Sequence, residues 1–151
     1  MLINAVVNGK KVSWEVAKDE MLADTLRNHG LLSVRTGCDT GNCGICTVWV
    51  EGKPVLSCST LSFRVDGKSV TTLEGVSKEA AKFAEILTAE GAEQCGFCSP
   101  GLIMNVLALA RELKTCGDEE INHYLAGNLC RCTGYMGQLR AVKKYLGVDG
   151  R

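Results

Sequence analysis

The sequence predicts an α+β chain with a strand-rich first half and a helical second half. Three observations carry this. Residues before about Val76 alternate apolar and polar and are punctuated by glycines. Asn8-Gly9, a tight-turn pair, stands between two strand-like runs. Beyond Val76, apolar residues recur at helical spacing. Strands followed by a run of helices is the pattern of an α+β architecture.

The elements follow in order. Leu2 to Val7 and Lys11 to Val16 form a hairpin around Asn8-Gly9. Met21, Leu22, Thr25, Leu26 and His29 mark a short helix, with Gly30 as its C-terminal stop. A cysteine loop runs from Gly37 to Cys46, and Thr47 to Glu51 is a strand ending at Gly52. Further short strands are expected over Val55–Cys58 and Ser69–Thr72, and a linker over Glu74–Ser77. Lys78 to Glu90 is an amphipathic helix with Phe83, Ile86 and Leu87 on one side. Ser99-Pro100 starts the next helix, Ser99 as cap and Pro100 in the first turn; this helix ends before Gly117. Asp118 caps a third helix reaching Ala126, and a fourth covers about Gln138 to Leu146. Four helices with short links imply a small bundle. Domains are therefore expected at 1–76 and 77–151.

Composition excludes several classes. The 151 residues balance 17 basic against 17 acidic side chains, so no basic surface calls for nucleic acid. No apolar run approaches the roughly 20 residues of a membrane helix, and the start of the chain lacks a signal-peptide layout; a cytoplasmic location is expected. Aromatics are only 5%, which favours a metal or disulfide staple over a large core. Nine cysteines, an odd number in tight and unequal spacing, favour metal ligation over disulfides.

The first set reads Gly37-Cys38-Asp39-Thr40-Gly41-Asn42-Cys43-Gly44-Ile45-Cys46, a C-x4-C-x2-C loop, with Cys58 following after eleven intervening residues. This is the plant-type [2Fe–2S] order. Each iron needs tetrahedral thiolate ligation, and glycines let the backbone approach the inorganic sulfides. Structural zinc uses C-x2-C pairs or Cys/His mixtures, which fit this loop less well. The interval from Cys46 to Cys58 is shorter than in a free-standing plant ferredoxin. The second set is Cys95 and Cys98, then Cys130 and Cys132 about thirty residues on. These pairs are placed in loops near helix N-termini, where N–H groups and the dipole favour anionic ligands. The spacing C-x2-C…C-x-C alone leaves zinc open as an alternative.

Three motifs occur in order: G-C-D-T-G-N-C-G-I-C at 37–46, Q-C-G-F-C-S-P-G at 94–101 and G-N-L-C-R-C-T-G-Y at 127–135. Together they resemble the iron–sulfur subunits of the xanthine dehydrogenase, or molybdenum hydroxylase, family over nearly the whole chain. The resemblance implies a β-grasp, plant-type ferredoxin-like N-terminal domain holding one [2Fe–2S] cluster through Cys38, Cys43, Cys46 and Cys58. It implies a four-helix domain holding a second through Cys95, Cys98, Cys130 and Cys132. It also implies a heteromeric complex, a heterotrimer with a large molybdenum–pterin (molybdopterin) subunit and a medium FAD subunit. Gln94 matches the family position that contacts the pterin, and Cys132 the ligand closest to it. Electrons then pass singly between molybdenum and flavin. Two small departures, Ser99 for threonine and Ile45 for alanine, remove no ligand. The short Cys46–Cys58 interval agrees with bacterial separate-subunit members.

No residue is laid out as a general base or nucleophile. His29 and His123 are isolated surface or packing residues, and Cys116, the ninth cysteine, is expected to be an unligated thiol. Arg131 either offsets cluster charge or makes a surface ion pair. Trp14 and Trp49 are expected to pack, and Phe97 either shields a cluster or fills a core. The competing functions are an independent two-cluster electron carrier and a structural zinc module. The substrate of the complex is not written in this chain.

Overall fold

The computed structural model describes residues 1–113 and 116–148. Residues 149–151, the end of the expected second domain, lie outside the described residues. Among the described residues the architecture is α+β, with one five-stranded sheet and five α-helices.

Strands β1 (Leu2–Val7) and β2 (Lys10–Glu15) pair antiparallel. Asn8 and Gly9 both take positive φ, 50° and 79°, as a type I′ hairpin turn requires. β3 (Thr47–Val50) and β4 (Lys53–Leu56) form a second hairpin through Glu51 and Gly52, again both positive, at 52° and 77°. β5 (Ser69–Thr71) joins the hairpins, parallel to β1 and antiparallel to β3, giving the order β2-β1-β5-β3-β4. The short helix α1 (Leu22–Asn28) buries Leu22 and Leu26 in one core with Ile3, Val48, Val65 and Val70.

The second core lies among α2 (Ser77–Ala89), α3 (Ser99–Glu112), α4 (Asp118–Leu125) and α5 (Met136–Leu146). Phe83, Leu87, Met104, Leu109, Ile121 and Val142 fill it. One residue of the sheet belongs to it as well. Successive side chains of a strand point to opposite faces, so Val48 enters the first core and Trp49 the second. The Trp49 indole N–H donates to the Met104 carbonyl at 3.0 Å, and the Arg111 guanidinium lies 4.0 Å above its ring. Strand β3 is thereby covered on both sides and joins the two halves.

Several local expectations are corrected. The strand expected over Val55–Cys58 stops at Leu56, and Ser57–Ser59 curls into a 3-10 turn. The Ser57 hydroxyl causes this by donating to the Cys46 carbonyl at 2.7 Å. The expected linker is a 3-10 turn, Leu73–Val76, fastened to the first half. The Glu74 carboxylate accepts from the Ser33 N–H and hydroxyl and from the Thr72 hydroxyl. Ser99 lies inside α3 rather than at its cap, and its hydroxyl donates to Glu93 at 2.8 Å. Gly117, not Asp118, caps α4, with its N–H taken by Glu120 at 2.9 Å.

Candidate metal centres

All nine cysteines are free thiols. Eight of them gather at two places, in pairs.

The first place is the irregular loop between α1 and β3. Gly41 and Gly44 hold positive φ of 68° and 69° there, turning the backbone so that its N–H groups face sulfur. The Asn42 N–H points at Cys38 Sγ from 3.4 Å. Backbone N–H groups of Thr40, Asn42 and Cys43, with the Cys43 thiol, hold the Cys38 thiol down at about 6. Cys46 is almost fully buried and touches Cys58; burial pushes it up to about 11. Cys58 arrives on the 3-10 turn after β4. Cys38 pairs with Cys43, and Cys46 with Cys58. Cys38 and Cys58 reach a surface depression that they share with Thr40 and Ser59.

The second place is assembled from two segments. Cys95 and Cys98 precede α3, and Cys130 and Cys132 lie between α4 and α5, near the helix N-termini as expected. Cys95 and Cys132 are exposed, with sulfurs 3.5 Å apart. Two thiolates on one tetrahedral metal would stand about 3.8 Å apart for metal–sulfur bonds of about 2.3 Å, close to the spacing of this pair. Cys98 pairs with Cys130 deeper in the fold; burial, then the neighbouring Cys130, push Cys98 up to about 12. Burial acts upward on Cys130 too. The Thr133 hydroxyl at 3.2 Å and the N–H groups of Cys132 and Thr133 outweigh it, so Cys130 lies below its ordinary value. The Phe97 N–H, then the Cys132 thiol, lower Cys95, while the contact with Cys95 raises Cys132.

The thiols therefore form four pairs in two groups. Among the described residues, no three cysteine, histidine or acidic side chains converge on one point that could hold a single metal ion. Two pairs per group is the arrangement of a binuclear centre, in which each metal takes two thiolates. Thiolates are also the soft donors that iron–sulfur centres use.

The two groups are fastened to each other. The Leu129 N–H, beside Cys130, donates to the carbonyl of Cys43 at 2.9 Å. Arg35, three residues before Cys38, donates to the carbonyls of Gly96 and Phe97 at 2.8 and 3.3 Å. Its guanidinium also lies 5.5 Å over the Phe97 ring. Asn105 on α3 donates to Thr47 and Asn128 at 3.3 and 2.8 Å. A Cβ on Gly44 would stand 2.3 Å from the Gly127 carbonyl oxygen, and one on Gly101 would stand 2.3 Å from that of Gly44. Two glycines, Gly44 and Gly101, thus let three backbone segments meet where the loops touch.

Other candidate residues fall as follows. Gln94 is exposed beside Cys95. His29 stacks on Trp14 with centroids 4.0 Å apart, and its ring Nδ1 is bonded to the Thr25 carbonyl. His123 and Arg131 are exposed. Cys116 packs against the helical core, apart from both thiol groups. Phe97 is 44% exposed and lies under Arg35, so it does not fill a core. Arg35, Asn105 and Thr133 escaped the sequence reading. Only Thr133 had a visible signal there, a hydroxyl next to a ligand motif.

Two family models cover the chain in series. A 2Fe-2S iron-sulfur cluster binding domain matches residues 5–71, and a [2Fe-2S] binding domain matches residues 72–143. The chain is 42% identical over 140 residues to a probable xanthine dehydrogenase subunit from Bacillus subtilis, covering 90% of this chain and 80% of that one. It is 45% identical over 139 residues to the xanthine dehydrogenase iron-sulfur-binding subunit of Escherichia coli O157:H7, covering 88% and 86%. Its fold matches a chain of quinoline 2-oxidoreductase from Pseudomonas putida 86 with a TM-score of 0.90 at 34% identity, covering 99% of this chain and 94% of that one. Two cluster-binding domains in this order, with relatives of nearly the same length, leave one conclusion: the chain belongs to the iron–sulfur small subunits of the molybdenum hydroxylase family, to which the xanthine dehydrogenases belong.

Proposed function

We propose that this chain is the electron relay of a molybdenum hydroxylase complex. It passes electrons one at a time between a molybdenum–pterin centre on a large partner subunit and FAD on a medium one. Residues 1–76 act as a β-grasp, plant-type ferredoxin-like domain, and 77–151 as a four-helix domain. Cys38, Cys43, Cys46 and Cys58 hold the first [2Fe–2S] cluster; Cys95, Cys98, Cys130 and Cys132 hold the second. A bound [2Fe–2S] cluster supplies a one-electron store whose potential is set by charge, hydrogen bonds and exposure.

The observation that carries this reading is the pairing of eight thiols into two groups joined through Leu129 and Arg35. The pairing supports a specific assignment: Cys38/Cys43 and Cys46/Cys58 each take one iron of the first cluster, and Cys95/Cys132 and Cys98/Cys130 each take one iron of the second. The chain's own work is to keep the two groups in register, to exclude water from Cys43 and Cys46, and to leave an outlet at each end. At the second centre the outlet is the exposed pair Cys95 and Cys132, flanked by Gln94. This agrees with a role for Gln94 and Cys132 beside the pterin of the large subunit. At the first it is the depression at Cys38 and Cys58, which in this reading is where the FAD subunit docks.

Iron and acid-labile sulfide analysis tests the reading, together with co-purification of partner chains. The expected result is four irons and four sulfides per chain, two distinct [2Fe–2S] EPR signals and a stable complex with two larger chains. Zinc in place of iron would overturn the reading, and a two-cluster monomer without partners would replace it with an independent carrier.

A further inference from the structure

We infer that Thr133 is a positioning residue that sets the reduction potential of the second centre, by donating its hydroxyl proton to the Cys130 sulfur. The inference rests on the assignment of Cys130 as a cluster ligand.

The geometry leaves the hydroxyl one use. The Tyr135 N–H donates to Thr133 Oγ1 at 3.3 Å and occupies a lone pair there. The single hydroxyl proton is directed at Cys130 Sγ, 3.2 Å away. Tyr135 is itself held in place. It takes a φ of 71°, a conformation uncommon for a residue with a side chain, next to Gly134 at 68°. In that conformation its phenol oxygen accepts the Cys130 N–H at 3.1 Å. Cys130 is therefore gripped at both ends, its N–H by Tyr135 and its sulfur by Thr133. The strained turn that makes the phenol contact also orients the hydroxyl.

The electrostatic consequence has a definite sign. A cluster gains a negative charge on reduction. A donor proton on a ligand sulfur stabilises that added charge more than it stabilises the oxidised form, so the potential rises. Cys130 and Thr133 are half-buried, so water only partly substitutes for the missing donor. The other ligand sulfurs are served differently. Cys38 receives backbone N–H groups, the Ser59 hydroxyl lies 3.5 Å from Cys58, and the Gln138 amide stands 4.0 Å from Cys98. Thr133 makes the shortest of these side-chain contacts.

The test is a redox titration of the iron-loaded complex, purified with its partner subunits, with EPR following the two [2Fe–2S] signals. Thr133→Val keeps the shape and removes the proton. It is expected to lower the midpoint of one signal only, with about a tenfold fall in the equilibrium constant for its reduction, roughly 59 mV for one electron. Thr133→Ser is expected to restore it. A T133V complex with both midpoints unchanged, or with both moved equally, overturns the inference. So does loss of two irons per chain in both T133V and T133A, which would make the hydroxyl a latch and not a tuner. Cys130→Ala separates the two claims. If C130A keeps both signals, the ligand assignment fails. If C130A loses one centre while T133V shifts nothing, only the tuning role fails.

Discussion

The first cysteine loop draws three of its four thiols from nine consecutive residues, Cys38 to Cys46, whereas the second takes two from 95–98 and two from 130–132. Their surroundings differ accordingly. In the compact loop the backbone itself supplies donors: Gly41 and Gly44 turn N–H groups inward, and Cys38 is held down at about 6 by them. In the split site, backbone N–H groups of Phe97, Cys132 and Thr133 serve the sulfurs too, but a side-chain hydroxyl joins them, Thr133 on Cys130, and the Tyr135 phenol oxygen accepts the Cys130 N–H. A loop that closes on itself can use local amides. A site whose halves come from separate segments adds side-chain contacts, here Thr133 and Tyr135, that fix one of its halves. The first is also the drier of the two, with Cys43 and Cys46 buried, while Cys95 and Cys132 face solvent.

The strongest test of that contrast removes one site and asks whether the other survives. Cys46→Ala is expected to cost about half of the bound iron, two of four atoms per chain, and one EPR signal. The second signal should persist, because none of its ligands comes from the loop. Loss of both signals would mean that the split site depends on the filled first one.

Next in size is the contact between the sites. Gly101→Ala in an open helix would stabilise by up to about 1 kcal/mol. Here the new methyl would meet the Gly44 oxygen at 2.3 Å and Ile45 Cα at 2.8 Å, both backbone atoms. The expected outcome is a loss of about 2 kcal/mol, read by urea unfolding of the full chain. Unchanged or raised stability would show that the loops can part without cost.

Arg35→Gln sharpens the same point more gently. It removes the guanidinium that donates to Gly96 and Phe97. A loss of about 1.5 kcal/mol is expected, with a changed magnetic interaction between the two reduced centres in low-temperature EPR. An unaltered interaction would leave Arg35 as a stability contact alone.

The smallest effect concerns the cluster-free chain. Cys38 lies at about 6 because backbone N–H groups favour its thiolate, so the thiolate dominates above that pH and is lost as the pH falls through it. Cys98, raised to about 12 by burial, stays protonated at neutrality. Mass spectrometry after iodoacetamide treatment at neutral pH should find Cys38 labelled well before Cys98. The lead should shrink below pH about 6. Equal labelling would contradict the donor arrangement in the first loop.

Much of the fold was legible because it depends on near neighbours. Asn8-Gly9 announced a hairpin that forms with the expected positive φ angles, and the strand Leu2–Val7 has the expected bounds. The four later helices lie where apolar spacing put them. The misses were competitions between partners distant in sequence or hidden by it. Ser99 was a good cap by type, but Glu93 takes its hydroxyl. Val55–Cys58 had the composition of a strand, but Ser57 bonds across to Cys46 and curls the chain. Gly44 was read from the sequence as a glycine that lets the cysteine loop approach the sulfides, and Gly101 stood only at the end of the 94–101 motif. Their necessity comes from backbone that approaches from elsewhere in the chain.

Sequence alone determined which thiols stand at ligand-motif spacing, since residue type and the spacings within 38–46, 95–98 and 130–132 are local facts. Tertiary structure decided how those atoms combine. Cys95 meets Cys132, Cys98 meets Cys130, and Leu129 reaches the Cys43 carbonyl. The reason is range. A ligand motif is fixed by covalent spacing over a few residues. The register between two motifs is fixed by cores, such as the one Trp49 enters from the sheet, that form only when distant segments pack.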